Sequence, residues 1–235
     1  MSAQSREGLD PATMRAIAHD AGVRITDLDP VGDWLPVEGN SDTPALFKSV
    51  WSRQQFLDCA SELGIERLTA VQLAPDAVVH DVAVEGFTTL CDDAAAHGFG
   101  VQLEFMPFSG ISNLSIALRL LRDADRANAS LLLDVCHFSR SGGTADDLRM
   151  IPSGLVSALQ LADGPLAAPT DTRDEAMFHR RLPGDGQFHV AELLAVLADT
   201  QVSCAVGPEL YGRSWSERNA TDVACDLMAA TRRVL

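Results

Sequence analysis

Two patterns of apolar positions alternate along this chain. Short, nearly continuous apolar runs are separated by longer stretches in which apolar residues recur every three or four positions. The first pattern belongs to strands buried on both faces, the second to amphipathic helices. The strand-like runs are Val23–Leu28, Arg67–Leu73, Val101–Phe105, Ser130–Val135, Leu155–Leu161 and Ser203–Val206. The helix-like stretches run from Pro11 to Ala21, about Ala45 to Leu63, Val82 to His97, near Asn113 to Ala127, near Thr144 to Met150, about Val190 to Asp199, and Trp215 to Val234. Asp10 followed by Pro11 is a helix start, and Gly22, Gly64 and Gly98 each stand where a helix should stop. Residues 30–44, which carry Trp34, and residues 162–186 read as loops. The second is long enough to suggest function. Strand and helix repeating in this way predict an α/β domain, residues 1–235, with parallel strands covered by helices. Six strands are counted, where a closed barrel of this class needs eight.

Four of the apolar runs lead into a side chain that carries oxygen. Glu104 follows Val101-Gln102-Leu103, and Asp134 follows Leu131-Leu132-Leu133. Gln160 follows Val156-Ser157-Ala158-Leu159, and Glu209 follows Val206-Gly207-Pro208. A polar group at the end of a buried strand is costly unless something uses it. Parallel barrels build their active sites from the C-terminal ends of several strands. Three carboxylates and an amide oxygen are hard ligands, suited to Mg²⁺ or Mn²⁺. Taken singly, each has an ordinary structural explanation, such as a helix cap; together they indicate one shared metal site.

Composition narrows the partners. The chain has 235 residues, 46% of them hydrophobic, and a formal net charge of −15. A core is affordable, and nucleic acid or an anionic membrane surface is a poor partner for so acidic a protein. No apolar run reaches the length of a membrane span and the N-terminus has no signal core, so a cytoplasmic protein is expected. Five widely spaced cysteines without a CxxC pair read as buried free thiols. GxSxG, HExxH, GxGxxG and the P-loop pattern are all absent.

Other residues gain weight from the quartet. His137 lies three residues after Asp134 and is placed at the same rim as an acid or base. The loop segment His179-Arg180-Arg181-Leu182-Pro183-Gly184-Asp185-Gly186 offers adjacent arginines for an anionic or polar ligand. Ser109-Gly110 and Ser141-Gly142-Gly143 are candidates to lend backbone amides, although turn formation alone accounts for them. Trp34, Phe105, Phe138 and Trp215 are candidate pocket walls, with Trp34 also a candidate substrate contact; core packing is the simpler role for each.

The segments LEFMPFSG at 103–110, LLLDVCHFSRSGGT at 131–144, VSALQLADGP at 156–165, HRRLPGDGQF at 179–188 and VGPEL at 206–210 resemble the sugar phosphate isomerase/epimerase family of xylose-isomerase-like TIM barrels. The resemblance implies a TIM-barrel-like parallel β/α fold. It implies Glu104, Asp134, Gln160 and Glu209 as metal ligands on the last four strands and His137 as a substrate-contacting histidine; the mechanism considered for such a site makes Glu104 and Glu209 the catalytic proton-transfer pair and His137 a catalytic acid or base. It implies Arg181, or else Arg180, as a substrate-holding residue beside His179. Many keto-sugar epimerases of the family have His where Gln160 stands; Gln appears in relatives that include dehydratases of inosose and 3-dehydroshikimate. Aligned this way, Val23–Leu28 matches the family's third strand, so the first two strands have no counterpart. An open parallel edge is a liability in water, and a homodimer is expected to cover it.

These readings lead to a metal-dependent isomerase or epimerase that removes a proton next to the carbonyl of a small sugar-like or polyol-derived substrate. The alternative is a metal-dependent dehydratase of the 3-dehydroshikimate or inosose type. An inactive ligand-binding or partner subunit is a further alternative, which metal analysis separates from the first two. An endonuclease is disfavoured by the acidity and by too few histidines for a zinc cluster.

Overall fold

A computed structural model describes residues 9–35, 52–74 and 77–235. Among these residues six strands occur in the sheet order β1-β2-β3-β4-β5-β6. They are β1 (Asp27–Val31), β2 (Arg67–Ala70), β3 (Gly100–Glu104), β4 (Ala129–Asp134), β5 (Val156–Leu161) and β6 (Ala205–Pro208). The α/β class, the parallel pairing and the count of six agree with the sequence. The contacts cluster into two compact units, residues 1–103 with 120–130, and residues 104–119 with 131–235.

In the first unit β1 pairs with β2 and β2 with β3, all parallel. The first strand begins four residues later than its expected start at Val23. Val23 is 57% exposed, and pairing begins only where the Thr26 carbonyl accepts the Glu66 and Arg67 amides. The strand runs through Pro30, which an outer strand tolerates because no partner needs its missing N–H. Asp27, Thr69 and Gln102 meet on these strands: Gln102 Nε2 donates to Thr69 Oγ1 at 2.9 Å and to Asp27 Oδ1 at 3.2 Å. Helix α1 (Pro11–Asp20) is capped by Asp10, as expected. Helix α2 (Arg53–Leu63) opens on a capping box formed by Ser52 and Gln55 and closes on Gly64 at φ +70°. The earlier part of that expected helix, and most of the loop before it, lie outside the described residues.

Helix α3 (His80–Ala96) lays Phe87, Leu90, Cys91 and Ala94 into the core. Trp34 is in this core too: its Nε1 donates to the Val71 carbonyl at 2.8 Å and its ring meets Phe87 edge-on at 5.6 Å. The helix comes close to the loop at Gly86, where a Cβ would fall 2.3 Å from the Trp34 carbonyl oxygen.

In the second unit β4 pairs with β5 and β5 with β6, again parallel. The register sets Asp134 opposite Gln160 and Gln160 opposite Gly207. Glu209 follows β6 directly, its amide donating to the Leu161 carbonyl at 2.9 Å. Helix α4 (Leu114–Ala124) starts at Asn113, whose side chain accepts the Ile116 amide. The long 162–186 segment is not all loop. It contains a seven-residue helix over Thr172–Phe178, started by Asp171 accepting the Arg173 and Asp174 amides. Another short helix, Val135–Arg140, follows β4 where strand was expected to reach Val135. Helices Ala145–Arg149 and Val190–Asp199 lie where the sequence put them, and the last expected helix is split into Arg213–Ser216 and Ala220–Val234, the second capped by Asn219.

Cys91 and Cys136 are buried, and burial pushes both thiols up to about 12. Cys59 and Cys204 are half-buried and Cys225 is exposed, which corrects the expectation that all five are buried; none of the five is in a disulfide. Among the described residues no helix is long and apolar enough to cross a membrane.

Gly86→Ala tests the packing. Alanine favours a helix by about 1 kcal/mol over glycine, but a methyl group forced against a backbone oxygen costs roughly 1–3 kcal/mol. A net loss of stability on urea denaturation is expected, and a gain would show that Trp34 does not lie where it is described.

Candidate functional site

The second unit brings the polar strand ends together. Glu104 ends β3, Asp134 ends β4, Gln160 stands next to last in β5 and Glu209 follows β6. Glu104 and Asp134 are buried and Glu209 half-buried, and one carboxylate oxygen from each lies within 4.8 Å of the other two. Gln160 Nε2 donates to Glu209 Oε1 at 3.1 Å. Its other polar atom, the buried Oε1, has no hydrogen-bond partner among the described residues.

Asp134 has two duties. Its Oδ1 accepts the His137 amide at 2.7 Å and so caps helix Val135–Arg140. Its Oδ2 accepts from Arg180 Nη1 at 2.8 Å. The cap explains the spacing of Asp134 and His137: a carboxylate at the cap reaches the third amide of the helix, and the third residue's ring then lies over the same strand end.

Arg180 is the cation among these acids, its side chain 2% exposed. Its Nη1 also donates to Glu209 Oε2 at 2.8 Å and to the Glu209 carbonyl at 3.2 Å, and its Nε donates to the Ala176 carbonyl at 2.9 Å. Its Nη2 lies 3.2 Å from His137 Nε2. A guanidinium can only donate, so Nε2 accepts and the neutral ring carries its proton on Nδ1. That Nδ1 is buried and has no hydrogen-bond partner among the described residues. Among them His137 thus offers a buried N–H with nothing to receive it. Glu104 Oε1 is 3.6 Å from Nε2, beyond hydrogen-bond range.

The charges follow from this packing. Burial opposes ionisation of Asp134, but the Arg180 guanidinium, the His137 ring and the His137 amide together hold its carboxyl below the usual carboxylate range. Burial pushes the His137 ring down to about 4; Asp134 pulls the other way and Arg180 adds to the fall. Burial also works against the charge on Arg180, yet Asp134 and Glu209 raise its pKa well above the ordinary value.

The two loop arginines part company in the structure. Arg181 forms a backbone bridge with Asp163, its amide and carbonyl both taken. Successive side chains on an extended segment point to opposite sides, so Arg180 turns into the site and Arg181 outward, where it is exposed. His179 is also exposed, 3.1 Å from Asp174. Trp34 belongs to the core of the first unit, its indole N–H already bonded. Phe105 and Phe138 are core residues of the second unit, each 1% exposed. Trp215 is half-buried, with the Arg218 guanidinium 5.1 Å over its ring. The Ser109 and Gly143 amides close local turns onto the Met106 and Phe138 carbonyls, the simpler of the two roles considered for those segments.

Five residues near the site had not been singled out. Phe108 meets the His137 ring edge-on at 5.6 Å. Tyr211 places its hydroxyl 3.4 Å from Glu209 Oε1 and its ring 5.9 Å from the Arg180 guanidinium. Asp163, buried at the end of β5, accepts the Gly164, Gly184 and Phe188 amides and so anchors the Pro183–Gly186 turn. A Cβ on Gly186 would fall 2.2 Å from Asp163 Oδ1, so only glycine fits there. Glu175 pairs with Arg140. The spacing Asp134, His137, Arg140 is a one-face helical signal that would have pointed to Arg140; for Tyr211 the sequence holds no comparable sign.

A model of the family described as xylose isomerase-like TIM barrel matches residues 3–231. The chain is 27% identical over 188 residues, 79% of its length, to a 3-dehydroshikimate dehydratase of Pseudomonas aeruginosa, and 24% identical to the enzyme of that name from Pseudomonas putida. It spans only 29% and 34% of the length of those two proteins. It is 24% identical over 193 residues to an inosose isomerase of Halalkalibacterium halodurans, covering 78% of this chain and 66% of that protein. Among solved structures it is similar in fold to the IolI protein with a bound zinc atom, with a TM-score of 0.77 at 20% identity, over 94% of this chain and 81% of that one.

The displaced histidine pKa gives a pH test on metal-free protein. Between pH of about 6.5 and about 4 the unfolded chain takes up a proton that folded His137 refuses. Stability therefore falls as pH drops through that window, by up to about 3 kcal/mol from this ring. His137→Gln should flatten that part of the profile in urea denaturation. Equal slopes in the two proteins would show that the ring is not buried neutral.

Proposed function

The chain belongs to the xylose isomerase-like TIM barrel family, and on that footing we propose that it is a divalent-metal-dependent isomerase or epimerase. It would remove a proton next to the carbonyl of a small sugar-like or polyol-derived substrate. The observation that carries this reading is the trio of carboxylate oxygens within 4.8 Å of one another, with the partnerless Gln160 Oε1 on the neighbouring amide. These residues fit a hard cation: three charged oxygens, one neutral oxygen, and no sulfur.

Glu104, Asp134, Gln160 and Glu209 would hold the metal, with Mn²⁺ or Mg²⁺ the ions best suited. Bound there, it would polarise the substrate carbonyl and steady the negative charge that develops on its oxygen. Glu104 and Glu209 come from strands that are not neighbours, so they approach a substrate from different sides. One takes the α-proton and the other returns one. His137 stays neutral near pH 7 and donates its Nδ1–H to a substrate oxygen. Arg180 keeps Asp134 charged and holds Glu209 in place.

A second reading, the dehydratase, is favoured by the two Pseudomonas relatives and by glutamine at position 160. There the same α-proton removal is followed by departure of a β-hydroxyl, and the His137 N–H is placed to assist the leaving oxygen.

Chelator-treated protein given Mn²⁺ or Mg²⁺ should gain thermal stability, and Glu104→Gln, Asp134→Asn and Glu209→Gln should each reduce the gain. No gain in the unaltered protein would sink the metal reading. With metal present, product NMR in deuterated water separates the reactions on an inosose, a ketose or 3-dehydroshikimate. Deuterium at the α-carbon with water retained supports the isomerase, and loss of water supports the dehydratase. Either glutamate-to-glutamine change should slow the reaction by roughly 10²–10⁴-fold.

A further inference from the structure

Helix Val135–Arg140 carries His137 and Arg140 three residues apart, with Asp134 at its cap. Asp134 and His137 belong to the site. Arg140 turns instead to the short helix Thr172–Phe178. Its Nε and Nη2 take both oxygens of Glu175, Nη2 to Oε1 at 2.5 Å, and both side chains are only 4% exposed. Nη2 also donates to the Pro165 carbonyl at 2.7 Å, and the guanidinium lies 4.6 Å over the Phe188 ring. The next residue after Glu175 is Ala176, whose carbonyl receives Nε of Arg180.

We propose that the Arg140–Glu175 pair is a positioning device for Arg180. A guanidinium is a rigid plane, so the direction of its Nε–H fixes the other donors. The Ala176 carbonyl sets that direction, and Glu175 fixes Ala176 by tying its helix to the one that begins at Asp134. Asp134, Glu209 and His137 then receive Arg180 at 2.8, 2.8 and 3.2 Å. A forked pair holds orientation as well as distance, which an apolar contact does not. A buried ion pair is a weak source of net stability, and its value here is geometric.

The test uses the chain's single tyrosine. Tyr211 lies against Arg180 and Glu209, so full-length, metal-free protein labelled with 3-fluorotyrosine gives one ¹⁹F resonance that reports on Arg180. Arg180→Lys defines the shift that follows displacement of the guanidinium. Glu175→Gln is expected to move the resonance in the same direction, and the double variant is expected to move it no further. Glu192→Gln, an exposed change on another helix, should leave it in place. A folded Glu175→Gln protein with the resonance at its original position overturns the proposal, as does a shift that adds to that of Arg180→Lys. If Glu175→Gln does not fold, Arg140→Lys, which keeps the charge but loses the fork, is read by the same criteria. The importance of Arg180 for turnover rests on the proposed function, but the resonance does not. An inactive protein with the expected shifts would sink the function and leave the positioning role standing.

Discussion

The arrangement depends on one buried cation among three acids. Carboxylates within 4.8 Å of one another repel by roughly 3 kcal/mol per pair at an effective dielectric of about 20. Three such pairs rival the whole stability of a typical domain, about 5–15 kcal/mol. Without compensation the site would take up protons or spread apart. Arg180 answers most of this with one planar group. It bonds two of the acids directly and fixes the tautomer of His137 through the histidine's other nitrogen.

The backbone makes that concentration of charge possible by economy of position. In a parallel arrangement the strand ends are brought level by the ladder, so Asp134 and Gln160 are neighbours by register. The elements beyond the strands then do the aiming. A six-residue helix presents His137 above Asp134, a seven-residue helix offers the carbonyl that directs Arg180, and the Pro183–Gly186 turn is tied to Asp163. Each is short, and each is held by a side chain rather than by its own length.

The strand ends could be read from the sequence because burial has a plain linear sign: an apolar run followed by oxygen. Glu104, Asp134, Gln160 and Glu209 all follow from it, and so does the parallel α/β class. The two short helices could not be read so easily. Val135-Cys136-His137-Phe138 continues the apolar run of β4, and what ends the strand is the cap made by Asp134, a contact that periodicity does not show. The helix from Thr172 lay inside a polar segment whose one clear sign was Asp171 three residues ahead of Asp174. The different placement of Arg180 and Arg181 was beyond composition altogether. It follows from a single backbone bridge to Asp163, eighteen residues upstream, beside which Arg180 is buried and Arg181 exposed. The late start of β1 has a similar origin, since Val23 is apolar but exposed, and pairing among the described residues begins only at Thr26.

The double duty of Asp134 separates two properties that usually vary together. Its Oδ1 serves the helix and its Oδ2 serves the charge balance. Asparagine caps a helix about as well as aspartate, whereas alanine forfeits about 1 kcal/mol. Shape at this position therefore answers to the helix cap, and charge answers to the pairing with Arg180. On the proposed function, a lineage that abandoned the reaction would still be held to the outline of the side chain, so an asparagine here in a related chain would be the mark of a retired site on an intact scaffold.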